Sequence, residues 1–363
     1  MKSPRRKKSQ PMIKEVAKGP ADVTGYLSTG STLVDLIISG TKDPEGKGGI
    51  PQGKVTGIFG PASSGKSLLA GELCGSAQRQ NFDQIHLIDT EDSFEFSRAG
   101  IFGLDVNHKN FHYHAANEIK TIEELIGIYT IKKKRKPEIG FINRVAREAD
   151  PDEKILIVVD TIEVLPSMMQ LEGKDKRGQS RAKSISGGMR LTFGDVAYTK
   201  AAVVFINQVR EKPSDSYEFG HRRVVKFEQT GGVAAKHYPH LLVYLEEKGP
   251  VEEDDRVSGV QIWSYVYKSK IDKPLRSCNF TLDFDYGIDD IRDCIEWLRE
   301  NTEVLGSGRK AYSFPDDDRK FRSKENFIKF IEDVELEGEL ADLVRSHWKE
   351  IYSVPERKPR RRV

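Results

Sequence analysis

Gly60-Pro61-Ala62-Ser63-Ser64-Gly65-Lys66-Ser67 follows the apolar run Val55 to Phe59 and leads into a stretch of helical character, Ser67 to Gln80. A complete G-x-x-x-x-G-K-S between a strand and a helix decides the fold. Small residues let successive main-chain N–H groups wrap an anionic phosphate at the helix N-terminus. Lys66 adds a point charge near the β- and γ-phosphates, and the Ser67 hydroxyl is placed to ligate Mg²⁺. The stretch reads as a nucleotide site rather than a chance Gly/Ser turn.

Three more apolar runs repeat the pattern outward from it. Ile155 to Val159 ends at Asp160, Ile85 to Ile88 runs into Asp89-Thr90-Glu91, and Ala201 to Ile206 ends at Asn207-Gln208. Buried strands separated by helices imply an α/β sheet, parallel at its centre, whose carboxyl ends collect ligand. Asp160 is then placed to orient Mg²⁺, directly or through its water shell. Glu91 is the candidate for positioning and deprotonating an attacking water. Asp89 competes for that role, Asp92 more weakly, and capping of the next segment is the plain alternative. Gln208 could report the γ-phosphate, although on the residues alone ordinary capping of a strand end is the simpler reading.

The rest of the chain frames this core. Residues 1–27 read as a basic tail with a short docking segment at Met12 to Ala17. A helix is expected over Ser31 to Ser39, another over 121–148 interrupted by Lys132 to Pro137, and another over Met189 to Lys200. After Gly232 come Leu241 to Leu245, Val260 to Lys268 and Cys278 to Phe284, an antiparallel extension of the sheet. From Ile291 the pattern is helical again. The division expected is a tail (1–27), a core (28–288), a small C-terminal α/β domain (289–352) and a second basic tail (353–363).

With 363 residues, 37% of them hydrophobic, the chain can bury a core, and no apolar run approaches the ~20 residues of a membrane span. No signal-peptide apolar region follows the N-terminus, and three scattered cysteines cannot build a disulfide framework, so a cytoplasmic, reducing location is expected. The net charge of +2 hides an asymmetry: residues 1–8 and 357–363 carry five cations each, leaving a body of 48 basic and 56 acidic side chains. Such arms anchor a polyanion or act as solubility tails. Cys74, Cys278 and Cys294 read as small buried hydrophobes, Trp263, Trp297 and Trp348 as packing, and His108, His112 and His114 lack metal-ligand context.

Taken together the motifs resemble the RecA-type homologous recombinases, including their RadA-like relatives. The matching stretches are Leu27 to Ser31, Gly49 to Lys54 with the loop that follows, Ile88 to Glu91, Val158 to Asp160, Phe205 to Arg210, Thr230 to Gly232 and Lys268 to Ile271. The resemblance implies a RecA-type P-loop ATPase core binding ATP and Mg²⁺. It implies Glu91 as the catalytic carboxylate, Gln208 as the γ-phosphate sensor, and Lys268 and Lys270 reaching a neighbouring subunit's phosphates. The segment Asp92 to Arg98 is closer to the RadA-like pattern and places Arg98 where a side chain stacks on adenine. His237 stands where bacterial members have an interface aromatic, and the chain before Leu27 is shorter than their docking helix.

Two loops gain a meaning from the same resemblance. Residues 167–188, with Lys174, Lys176, Arg177 and Arg181, match the first DNA-binding loop. Residues 209–230, with Arg210, Lys212, Tyr217, Phe219, Arg222, Arg223 and Lys226, match the second, expected as a long structureless switch. Cations neutralise phosphates and exposed aromatics stack on bases. The function implied is a DNA-dependent ATPase that binds single-stranded DNA as a homo-oligomeric filament and pairs it with double-stranded DNA. A ring-forming helicase motor and a nucleotide-gated mediator without strand exchange are the alternatives.

Overall fold

The structure, a computed structural model, describes residues 22–40, 42–128, 139–175, 179–211, 217–219, 222–224, 227–229, 238–253, 256–306, 311–315 and 317–352. Residues 1–21 of the first basic tail, the second basic tail, Lys132 to Pro137, Thr230 to Gly232 and His237 lie outside these; the end of the first tail is not a tail, since Tyr26–Leu27 form a strand.

β1 (Tyr26–Leu27) pairs antiparallel with β2 (Ile50–Pro51) around α1 (Thr32–Ser39), whose N-cap Ser31 accepts from the Val34 amide. Then follow β3 (Lys54–Gly60), α2 (Lys66–Arg79), β4 (Gln84–Asp89) and β5 (Phe111–His114). Where one interrupted helix was expected there are two short ones, α3 (Ile122–Ile126) and α4 (Phe141–Glu148); Gly127, at φ +78°, ends the first. Next come β6 (Lys154–Asp160), α5 (Met168–Leu171), α6 (Ser180–Val196) and β7 (Lys200–Glu211). Helix α6 starts at Ser180, well before the expected Met189, so helix takes over the second half of the first loop.

The second loop is not the structureless segment expected. β7 runs on to Glu211, and β10 (Phe227–Gln229) folds back antiparallel against it, Phe227 opposite Glu211. Between them β8 (Tyr217–Phe219) pairs with β9 (Arg222–Val224).

β11 (Leu241–Glu253), β12 (Arg256–Ser269), β13 (Ser277–Asp283) and β14 (Gly287–Ile288) complete the large sheet, in the order β14-β13-β12-β11-β3-β7-β6-β4-β5. From β11 to β5 neighbours run parallel, and from β11 to β14 antiparallel. The central runs are apolar without alternation because both faces are covered. Ile58, Val158 and Val204 pack with Leu69 and Leu73 of α2 on one face. Val55, Ile157 and Val203 pack with Ile126, Ile142 and Ile185 on the other.

A third core joins α7 (Asp290–Asn301), α8 (Lys324–Asp333) and α9 (Glu337–Tyr352) to Leu33 and Leu36 of α1. The Asp290 carboxylate fastens the junction by accepting from the Thr32 amide (2.6 Å) and hydroxyl (2.7 Å). Among the described residues this region is three helices with one isolated bridge, Tyr312 to Phe321, instead of the α/β unit expected. Cys74 and Cys294 are buried, and burial pushes the Cys74 thiol up to about 12.

Candidate nucleotide site at the carboxyl ends of the sheet

The phosphate loop springs from the centre of the sheet, where Gly60 of β3 lies opposite Gln208 of β7. A Cβ on Gly60 would sit 2.2 Å from the Leu245 carbonyl oxygen, and one on Gly65, at φ +78°, would sit 2.5 Å from Leu282 Cδ1. Close approach to backbone thus requires glycine at Gly60, and the left-handed backbone requires it at Gly65. Helix α2 begins at Lys66, so its unpaired amides open towards the loop. Lys66 Nζ donates to the Pro61 carbonyl and to Ser64 Oγ (3.2 Å). Burial lowers its pKa, opposed by Asp160, Glu163 and Glu91.

Asp160 shares a hydrogen bond with Ser67. Burial raises its pKa; the Ser67 bond and Lys66 pull it down, and Asp89 and Glu91 add to the rise. A desolvated carboxylate beside two further acids favours a cation, and the oxygens of Ser67 and Asp160 suit Mg²⁺. Three strand ends are stitched level here. The Thr161 hydroxyl donates to the Ile206 carbonyl (2.5 Å), the Thr90 hydroxyl to the Thr161 carbonyl (2.6 Å), and the Thr161 amide to the Thr90 hydroxyl (2.9 Å).

Geometry separates the three candidate acids. Asp89 is 1% exposed and accepts from the amides of Glu91 (3.2 Å) and Phe94 (2.7 Å), the Ser93 hydroxyl (3.5 Å) and the Tyr113 hydroxyl (3.1 Å). Asp92 accepts from the Ala116 amide (2.8 Å). Both carboxylates are engaged with their surroundings. Glu91 is exposed, and it lines a 290 Å³ cavity together with Ser67, Asp89, Asp160 and Arg98.

Two neighbours of this site escaped sequence reasoning. Arg98 donates to the carbonyl of Phe284 (3.5 Å), an aromatic 39% exposed at the end of β13. Glu163, just past Asp160, accepts from the Gln208 amide (3.2 Å) and so ties the nucleotide end of β6 to the start of the second loop. Neither has a motif: an exposed aromatic after a strand and an acid in a turn are common in any sequence.

Lys268 and Lys270 do not join their own chain's phosphate loop. Lys268 Nζ donates to the Pro239 carbonyl (2.8 Å), and the Lys270 amide donates to His240, level with the start of β3. In the first loop Lys174 pairs with Glu172 (2.6 Å), while Arg181, on α6, spends its guanidinium on the carbonyls of Leu165, Ile162 and Glu163 (2.9–3.0 Å), fastening α6 to the segment that follows β6. Met168 and Met169 are 41% and 49% exposed on α5. Arg210 lies on β7, Tyr217 and Phe219 on β8, and Arg222 and Arg223 on β9. Lys176, Arg177, Lys212 and Lys226 lie outside the described residues.

A model of the RecA N-terminal domain matches residues 12–119 and 146–289. Protein RecA of Mesoplasma florum is 29% identical over 300 residues, 78% of this chain and 80% of its own length. Protein RecA of Chlorobium chlorochromatii is 26% identical over 315 residues, covering 82% and 79%. The mitochondrial DNA repair protein recA homolog 3 of Arabidopsis thaliana is 25% identical over 325 residues, covering 89% and 67%.

Proposed function

The chain belongs to the RecA family, and from that premise we propose that it is an ATP-dependent DNA recombinase that coats single-stranded DNA as a head-to-tail filament and pairs it with a homologous duplex. The observation that carries this reading is the meeting of Lys66, Asp160, Glu91 and Gln208 at the carboxyl ends of adjacent strands, with the second loop leaving directly from Gln208.

The loop Gly60 to Ser67 cradles the triphosphate of ATP, and Lys66 turns from its own loop to the β- and γ-phosphates. Ser67 and Asp160 would hold Mg²⁺, which would supply positive charge to offset that of the phosphates. Glu91 orients a water in line with the γ-phosphorus and takes its proton as the phosphoanhydride breaks to ADP and phosphate. Arg98 lies against the adenine, with Phe284 beside it. Gln208 hydrogen-bonds the γ-phosphate, and through it the nucleotide sets the β7–β10 ribbon that carries Arg210, Tyr217, Phe219, Arg222 and Arg223 towards DNA. Lys268 and Lys270 complete the neighbour's site.

A strand-exchange assay with and without ATP, read beside negative-stain images, tests this. The expected result is joint molecules only with ATP, formed on open helical filaments. Closed rings that unwind duplex favour the helicase motor. ATP-stimulated DNA binding with neither turnover nor joint molecules favours the mediator.

A further inference from the structure

The Glu91 turn is held from outside by the edge strand of the sheet. Tyr113 lies on β5, opposite Leu87 of β4, and its hydroxyl reaches forward to Asp89 Oδ2 (3.1 Å). The same oxygen takes the Phe94 amide (2.7 Å), and Oδ1 takes the Glu91 amide (3.2 Å) and the Ser93 hydroxyl (3.5 Å). One carboxylate therefore pins both ends of the turn that carries Glu91. The segment after β5 grips the turn again, through the Ala116 amide on Asp92 (2.8 Å). The Tyr113 ring stands edge-on to Phe96 (4.9 Å, 88°) and 6.4 Å from Phe94, so its packing aims the hydroxyl.

We infer that Tyr113 is a positioning residue for ATP hydrolysis, acting through Asp89 to hold Glu91 where it meets the attacking water. This rests on the reading of Glu91 as the catalytic carboxylate. Asp89 is buried close to two other acids, Glu91 and Asp160, and such a carboxylate keeps its orientation only while donors satisfy it. Burial and the Asp89 charge push the phenol's pKa up, so it remains a donor at working pH. Among the described residues the hydroxyl bonds only the Asp89 carboxylate beneath the turn, while the ring contacts to Phe94 and Phe96 remain in Tyr113→Phe, so loss of the hydroxyl falls on the chemical step rather than on nucleotide binding.

The test uses full-length Tyr113→Phe, Glu91→Gln and the double variant. It measures steady-state DNA-dependent ATP hydrolysis, affinity for a fluorescent ATP analogue, and melting. Tyr113→Phe keeps the ring, and its kcat should fall about three- to tenfold, the loss of one hydrogen bond to a charged group that water partly replaces, with KM and melting unchanged. Glu91→Gln alone should fall about a hundredfold or more. Adding Tyr113→Phe to Glu91→Gln should cost nothing further, because the residue acts through Glu91; a general lesion lowers both backgrounds by the same factor. A kcat within twofold of the parent, a loss confined to KM, a matching loss of melting temperature, or an equal further drop in the double variant each overturns the inference. If Glu91→Gln itself turns over normally, the reading of Glu91 falls and takes this one with it; if Glu91→Gln is dead and Tyr113→Phe normal, only this one falls.

Discussion

The two ends of the same parallel strands carry opposite chemistry. At the carboxyl ends Asp89, Glu91, Asp160 and Glu163 gather near Lys66 and the phosphate loop. At the amino end of β3, Lys54, Lys268 and Lys270 surround His240, whose pKa is pushed down to about 4 by burial and then by those lysines. Its Nδ1 accepts the Val55 amide (3.2 Å), which requires a neutral ring. Lys54 and Gly60 bound a seven-residue strand, so the ends lie roughly 20 Å apart at about 3.3 Å per residue. No single chain can fold one end onto the other, because the sheet between them is a packed core. In the head-to-tail filament proposed above, the amino end of one chain on the carboxyl end of the next would bring these cations to the neighbour's phosphates.

The largest expected effect comes from the acidic end. Lys66→Ala should abolish nucleotide-dependent DNA binding in an anisotropy titration run with and without ATP. Full ATP-stimulated binding by that variant would mean the phosphate loop is not the switch.

A mixing experiment addresses both ends together. Neither Lys66→Ala nor Lys268→Ala/Lys270→Ala protein should hydrolyse ATP alone. Random co-assembly at equal ratio pairs an intact phosphate loop with an intact pair of lysines at about a quarter of boundaries, and that share of parental turnover should return. No recovery at any ratio would remove the trans role of the lysines.

The smallest effect is a pH dependence at the basic end. The folded-state pKa of His240 lies below the ~6.5 of an unfolded histidine, so its contribution to stability is whole above that pH and is lost as pH falls towards 4. His240→Asn should remove about 1–2 kcal/mol of that acid sensitivity, after discounting for solvent screening, in denaturant melts at pH 7 and 4.5. Identical pH slopes for both proteins would place the titration elsewhere.

Much of the carboxyl end was readable in the chain. The phosphate loop, Asp160 and Glu91 each stand immediately after an apolar run, a relation between neighbours in sequence. The partners that hold them were not: Tyr113 lies 24 residues from Asp89, Gln208 45 from Glu163, and Phe284 186 from Arg98. Helix α1 was found from Leu33, Leu36 and Ile37, yet all eight of its residues are buried, since the C-terminal helices cover the side that faces away from the sheet. The β7–β10 ribbon was missed because its charged residues show no apolar alternation.

Local order along the chain was enough to establish a nucleotide-binding α/β core, because a strand, a glycine turn and a helix are contacts between residues close in sequence. Folding alone buried Asp89, left Glu91 exposed, and set the lysines at the far end of the sheet from their own phosphate loop. Those outcomes depend on which strands become neighbours and how their ends are levelled, and hydrogen bonds between distant residues leave no period for a sequence to display.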